Sequence, residues 1–431
     1  MARLLSILLI GAVLCGCLGC AHDIPPSCST SAVETSTTEF TEETVPVIAL
    51  SDPYAQYPRL WTVNCDEYIS FSSSPGESSS VNLPAGTALE LLGWQEKHAK
   101  VRHNGNEGYV LSSYIQPADA DAVSDLLTVV RPTAVYSYTQ MKADIEALVQ
   151  AYPHSCSTQT IGHSEESRTI PVLKIGSADA KYHILIQGAM HGREHMTAWL
   201  VMAMADFWLA NHITQRTPDV CYHLIPMINP YGVTVSQSGT LGAKQQPIYF
   251  RDVQENSITD SLEDYAYCWK ANALGVDLNR NFPANWDNIT DIRVPSSQGY
   301  PGETPFSAAE STALRDYTLR YPFRSTLSYH AFGSIIYYEY GTKQSVNDQS
   351  YDLARTVQNI TGYRPHTTDP TTISTTVEGG GYKDWVMEAL EIPSLTIEIG
   401  CEPTPLTENE LPSIFFRNLP VLPTVAQWVT Q

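Results

Sequence analysis

The sequence predicts an α/β protein, with a mixed, mostly buried central sheet, flanking helices and a small all-β barrel in front. Two observations carry this. From about residue 136 onward, apolar β-runs alternate with helical patterns, the signature of strands and helices packed in layers. Residues 56–117 instead string short β-rich runs between Pro-Gly, Pro-Ala-Gly and Asn-Gly turn signals.

Taken in order, the first element is "MARLLSILLIGAVLCGCLGC", residues 1–20. Arg3 supplies a charge, residues 4–14 an apolar core too short to span a bilayer comfortably, and small residues with cysteine follow. This reads as an export signal. Residues 21–55 are rich in Ser, Thr, Pro and Glu and carry few large apolar groups, so they read as a linker that cannot offset its ordering entropy. The barrel occupies 56–117, a linker with Pro132 covers 118–135, and the large domain runs over 136–431.

In the large domain the patterns predict a helix over 139–151 and strands near 157–162, 168–175 and 182–188. An apolar helix follows at 196–211, then the strand "VCYHLIPMI". Later strands are "FRSTLSYHA", "SIIYYEY" and "PSLTIEIG", with helices near 307–321, 347–361 and 380–390. The chain carries 46 acidic against 25 basic residues, a formal charge of −21, and its lysines and arginines do not cluster. Nucleic-acid binding, which demands a basic footprint, is excluded on that ground. Of nine cysteines, Cys15, Cys17 and Cys20 lie in the signal. The other six show no Cys-x-x-Cys spacing, so no cysteine zinc knuckle is expected, and the sequence fixes no disulfide.

The chemistry concentrates in four short stretches. "HGREH" places His191, Arg193, Glu194 and His195 where an apolar strand meets an apolar helix, and desolvating such groups is costly unless they are paired or bind a metal. His191 and Glu194 can turn toward one point, and "STLSYHAFG" puts His330 at the end of another apolar strand. Two imidazoles and one carboxylate form a ligand set of hydrolytic zinc enzymes. In "ALGVDLNRNFP", Asn279 and Arg280 stand side by side in a polar turn after a strand-like run, an amide and a planar fork suited to a carboxylate. In "PSLTIEIG", Glu398 interrupts an apolar β-run, and a carboxylate there must be paired or shifted in pKa, as a general base is.

Together, "HGRE", "VDLNRNFP", "SYHAFG" and "LTIEIG", in this order, resemble the zinc metallocarboxypeptidase family over about residues 135–431. The resemblance implies one zinc per chain, held by His191, Glu194 and His330, with Glu398 as general base and Arg193 polarising the scissile carbonyl. It implies that Asn279 and Arg280 hold a substrate carboxylate, and that Lys270 stands where many digestive members carry an oxyanion-binding arginine. Tyr382 is the nearest counterpart of those members' mobile-loop tyrosine, and His195 has no ligand role. The resemblance also implies that Lys383, just before Asp384-Trp385, lies at the base of the pocket for the leaving residue, where an ammonium would favour an acidic group such as the second carboxylate of diaminopimelate.

"WKANALGVDLNRNFP" and "GGGYKDWV" are similar to the bacterial branch that cleaves γ-D-glutamyl–diaminoacid bonds of peptidoglycan stems. Residues 56–117 resemble a bacterial Src-homology-3-like domain, which implies wall binding, and "LCGC" and "CLGC" resemble a lipobox with Cys17 or Cys20 as the lipidated residue. The expectation is an exported peptidase acting on peptidoglycan stem peptides at the cell envelope, touching membrane only through an N-terminal lipid anchor. The alternative is a metallocarboxypeptidase that removes C-terminal residues from polypeptides.

Overall fold

A computed structural model describes residues 48–49, 58–77, 81–255, 258–289, 292–366 and 379–431. The expected signal, with its candidate lipid-bearing Cys17 and Cys20, and nearly all of the 21–55 linker lie outside the described residues. Within that linker, however, Ile48–Ala49 pairs as a short strand. Among the described residues no helix is long and apolar enough to cross a membrane.

The N-terminal β unit contains β1 (Ile48–Ala49), β2 (Leu60–Val63), β3 (Tyr68–Phe71), β4 (Val81–Pro84), β5 (Ala88–Gln95), β6 (His98–His103), β7 (Asn106–Leu111) and β8 (Ile115–Pro117). Every pairing is antiparallel, in the order β7-β6-β5-β2-β8 with β1 added to β5 and β3 paired with β4. Along β5 and β6, Leu89, Leu91, Ala99 and Val101 are buried beside Trp61 and Trp94, as strand alternation requires.

This unit is fused to the large domain, which no local pattern announces. Its core and that of the large domain form one continuous cluster, with Trp61 edge-on to Phe416 at 6.0 Å between centroids. Arg417 lies buried at the seam, donating to the Thr361 carbonyl (2.7 Å) and, across the seam, to the Glu96 carbonyl (2.6 Å). Its guanidinium rests between the Trp94 and Tyr363 rings, 5.5 and 4.3 Å from their centroids. The 118–135 linker is equally committed. The buried Asp206 carboxylate accepts from the backbone N–H groups of Thr128, Val129 and Val130, and Val123, Leu127 and Val130 are buried.

The large domain adds β9 (Cys156–His163), β10 (Thr169–Ile175), β11 (Tyr182–Gln187), β12 (Val220–Ile225), β13 (Phe323–Ala331), β14 (Ile335–Tyr337), β15 (Arg364–His366) and β16 (Ser394–Ile399). They form one eight-stranded mixed sheet in the order β15-β14-β16-β13-β11-β12-β10-β9. The four central strands β16, β13, β11 and β12 run parallel. The helix Met196–Ala210, buried on almost every side, explains its lack of polar face by its place inside the core. β11 continues through this helix to β12 on one side, while β13 lies on its other side, so the chain direction diverges at the carboxyl ends of β11 and β13. Crevices at such points bind ligands in open α/β sheets.

The strand-like run before Asn279 is not a strand. "VDLNR" closes as a single 3-10 turn, Leu278–Arg280, because the Asp277 carboxylate caps it by accepting from Asn279 N. The helices Pro230–Ser238, Gln246–Glu255, Leu262–Tyr267, Leu411–Asn418 and Val421–Thr430 went unread.

Candidate active site

Three chain segments meet at the carboxyl ends of β11, β13 and β16. After β11 the chain turns through Gly188 to Met190 into a 3-10 turn, Gly192–Glu194, that leads into the helix Met196–Ala210. This turn is pinned from outside: Gly192 N donates to the Lys270 carbonyl (3.0 Å) and Arg193 N to the Trp269 carbonyl (2.9 Å). A Cβ on Gly192 would run into the Gly232 backbone, so the "HGRE" glycine is dictated by close approach.

The turn delivers His191 and Glu194 to His330, the eighth residue of β13, and their ligand atoms all lie within 4.8 Å of one another. Glu194 Oε1 is 2.8 Å from His191 Nδ1, and its Oε2 is 2.9 Å from His330 Nδ1. The two histidine Nδ1 atoms stand 3.3 Å apart. All three side chains are buried, and both rings present the same nitrogen to one point. Two imidazoles and a carboxylate converging in this way match the donor set and spacing that zinc takes. The far side of His191 is fixed as well, with Nε2 3.0 Å from Asp277 Oδ1. Asp277 in turn accepts from Gly299 N and Asn279 N, so a hydrogen-bonded carboxylate orients the ligand.

Electrostatics follow from that packing. Burial works against the charge on Glu194, yet His191 and the hydrogen bonds from both histidines hold its carboxyl well below the usual range. Burial likewise opposes a charged His191, but Glu194 and Asp277 raise its pKa. Asp277 is displaced far downward despite its burial, chiefly by His191. Glu398 differs. It pairs with His330 across β13 and β16, and burial pushes its carboxyl up to about 7. Nearby Glu194 adds to that rise, against His330, Lys270 and Arg193.

Lys270 joins the cluster, its ammonium 3.6 Å from Glu194 Oε1. Arg193 Nε is buried and finds no hydrogen-bond partner among the described residues. Asn279 and Arg280 sit on the turn that carries Asp277. Asn279 Oδ1 accepts from Tyr382 N (3.0 Å), and the Gly379–Gly381 stretch closes over the same turn through Phe282 N to Gly380 O. His195 is buried, its ring bonded to the Ala134 backbone, and burial lowers its pKa to about 4. It anchors the 118–135 segment.

Two sequence expectations need correction. The Tyr382 ring is fully buried among Phe282 and Trp385, and its hydroxyl bonds Thr318 Oγ1 at 3.0 Å, so it cannot act as a mobile substrate-binding tyrosine. Its contribution is its backbone N–H, which orients Asn279. Lys383 is buried as expected, but its ammonium is already matched by Asp384 Oδ1 at 2.5 Å and the Glu339 carbonyl at 2.9 Å. An unpaired cation waiting for a substrate carboxylate is therefore not present at that position. Asp277 was missed: it stands in the quoted "VDLNRNFP", two residues before Asn279, a carboxylate in an apolar run that called for a partner.

Comparison with known proteins fits this geometry. The profile of a family described as "Zinc carboxypeptidase" matches residues 141–418. A γ-D-glutamyl-L-diamino acid endopeptidase of Lysinibacillus sphaericus is 28% identical over 292 residues, covering 65% of this chain and 69% of that protein. Carboxypeptidase B of Astacus astacus is 28% identical over 226 residues, covering 51% of this chain and 69% of the relative. The fold matches carboxypeptidase A from Helicoverpa armigera with a TM-score of 0.53 at 17% identity, over 86% of this chain and 97% of that one. Thrombin-activatable fibrinolysis inhibitor matches with a TM-score of 0.55 at 16% identity, over 75% and 90%. The chain belongs to the zinc carboxypeptidase family and is a zinc metallopeptidase.

Proposed function

We propose that this zinc carboxypeptidase family member is exported and hydrolyses peptidoglycan stem peptides at the γ-D-glutamyl–diaminopimelate bond. One observation carries the substrate: the Lysinibacillus relative, similar across most of both chains, is named for the γ-D-glutamyl-L-diamino acid bond. Export rests on the signal-like residues 1–20, with Cys17 or Cys20 as a lipid anchor. The β unit, which resembles wall-binding modules, would hold the enzyme on its polymer and raise local substrate concentration.

His191, Glu194 and His330 would hold the zinc, which supplies Lewis-acid polarisation of the scissile carbonyl. Glu398 takes the proton of the attacking water and passes it to the leaving amine, work for which a carboxylate with a pKa near neutrality is suited. Lys270 and Arg193, whose Nε has no partner among the described residues, place cationic donors where negative charge develops on the carbonyl oxygen. Asn279 and Arg280, braced by Tyr382 N and the triple glycine, bind a carboxylate of the residue beyond the cut.

A second reading is removal of C-terminal residues from polypeptides, favoured by the similarity to a carboxypeptidase B. Purified muropeptides incubated with the protein, with and without a chelator, separate the two by fragment mass. Metal-dependent release at the γ-D-glutamyl bond is expected. Intact stems alongside trimming of ordinary peptides would favour the second reading, and cleavage indifferent to chelation would contradict both.

A further inference from the structure

We propose that His183, Cys221 and His223 form a second, structural metal site for a borderline-soft ion of the zinc class, at the end of the sheet opposite the catalytic cluster. β11 and β12 pair in parallel with His183 beside Cys221, and strand alternation puts Cys221 and His223 on one face. Their ligand atoms lie within 4.8 Å of one another, and all three residues are at most 5% exposed.

The inner nitrogens, His183 Nδ1 and His223 Nε2, face each other at 2.9 Å. The outer nitrogen of His223, Nδ1, is held from behind by the Tyr317 hydroxyl at 2.6 Å, and the His183 ring bonds the Ala180 backbone. Such outer partners are how metal-binding imidazoles are fixed in tautomer and direction. Tetrahedral zinc with nitrogens at about 2.0–2.1 Å and sulfur at about 2.3 Å requires N···N near 3.3 Å and N···S near 3.6 Å. The imidazole pair need open by only a few tenths of an ångström, while the thiol closes by rotation about its Cα–Cβ bond.

The surroundings suit ligation. Cys221 is an unbridged thiol whose pKa burial raises to about 11, with Lys174 opposing that rise, so its proton is given up only on binding the metal. On binding, the thiol proton leaves to solvent and the sulfur–metal bond replaces the S–H bond. Tyr321 and Phe323 wall the His223 ring at 4.5 and 5.0 Å between centroids, and a water would fill the fourth tetrahedral position. No carboxylate belongs to this ligand set, so thiolate and imidazole select against hard ions such as Mg²⁺ and Ca²⁺. An ion here ties β11 to β12 and, through Tyr317, to the helix Ala309–Thr318, and the expected one zinc per chain becomes one catalytic and one structural.

The test is Co²⁺ titration of metal-stripped full-length protein, read by stoichiometry and by near-ultraviolet sulfur-to-cobalt charge transfer. Two equivalents are expected, one of them bringing the charge-transfer band. Cys221→Ser should lose that band and one equivalent while keeping peptidase activity. His330→Ala should keep the band with one equivalent, which decides the matter even if Cys221→Ser does not fold. A single equivalent without the band in the unaltered protein, or a band that survives Cys221→Ser, would overturn the site.

Discussion

His191 and His330 meet edge to face at 4.8 Å between ring centroids, and His183 and His223 meet in the same way at 5.1 Å. His183 and His223 bridge the parallel strands β11 and β12, while β11 leads past its end to His191, which meets His330 on β13. Their neighbours separate them. Around His191 stand Glu194, Asp277 and, beyond His330, Glu398; the other pair sees aromatic rings, a thiol and Lys174. Carboxylates thus surround the first pair, while the second is buried among rings, a thiol and a lysine. Identical side chains in one sheet acquire different chemistry from the carboxylates placed beside them.

The largest expected effect tests the pair set among carboxylates. His330→Ala removes a third of the ligand set, so catalytic metal and peptidase activity should fall together, to background. Retained turnover at a tenth of normal or better, with metal analysed in the same sample, would move the ligand elsewhere.

The second pair predicts an acid limb in stability. In the metal-free protein burial lowers His223 from 6.5 to about 3, so the folded state refuses a proton that the unfolded chain accepts. Stability should therefore be full above pH 6.5 and be lost as pH falls toward 3, by on the order of 4–5 kcal/mol at about 1.4 kcal/mol per unit. Urea denaturation across that range should show a flatter limb for His223→Gln. An unchanged slope would mean that His223 is not the sealed group described.

The smallest effect concerns the brace behind His191. Asp277→Asn keeps the contact but removes the charge, and loss of such an outer partner costs about 10–100-fold in metal affinity or activity. Competition with a graded chelator measures it. Wild-type affinity in the variant would reduce Asp277 to a turn cap.

Most of the site was legible because each ligand ends an apolar run. β13 runs Phe323–Ala331, as read from "FRSTLSYHA", and His330 stands out there as a polar side chain facing inward. Glu398 was visible by the same logic, a carboxylate in "LTIEIG". What stayed hidden depends on contacts distant in sequence. Arg417 is one more unclustered arginine in the sequence, yet it joins two units through carbonyls at Glu96 and Thr361. Residues 118–135 looked like a connector because nothing local reveals that Asp206, far ahead in the chain, collects their N–H groups. The helix Pro230–Ser238 was missed although Asn229 caps it and Pro230 opens it, since "GVTVS" is poor in helix formers.

In the proposed mechanism Glu398, set against His330 beside the His191–Glu194–His330 cluster, moves the proton in a metal-dependent hydrolysis. Glu398→Gln preserves shape and removes the base, so its metal content and turnover, measured on one preparation, report on that role. An unchanged catalytic metal and a rate lower by at least about two orders of magnitude are expected, within the 10²–10⁴-fold that positioned acid–base catalysis contributes. Near-normal turnover in a fully metal-loaded Glu398→Gln enzyme would contradict that role.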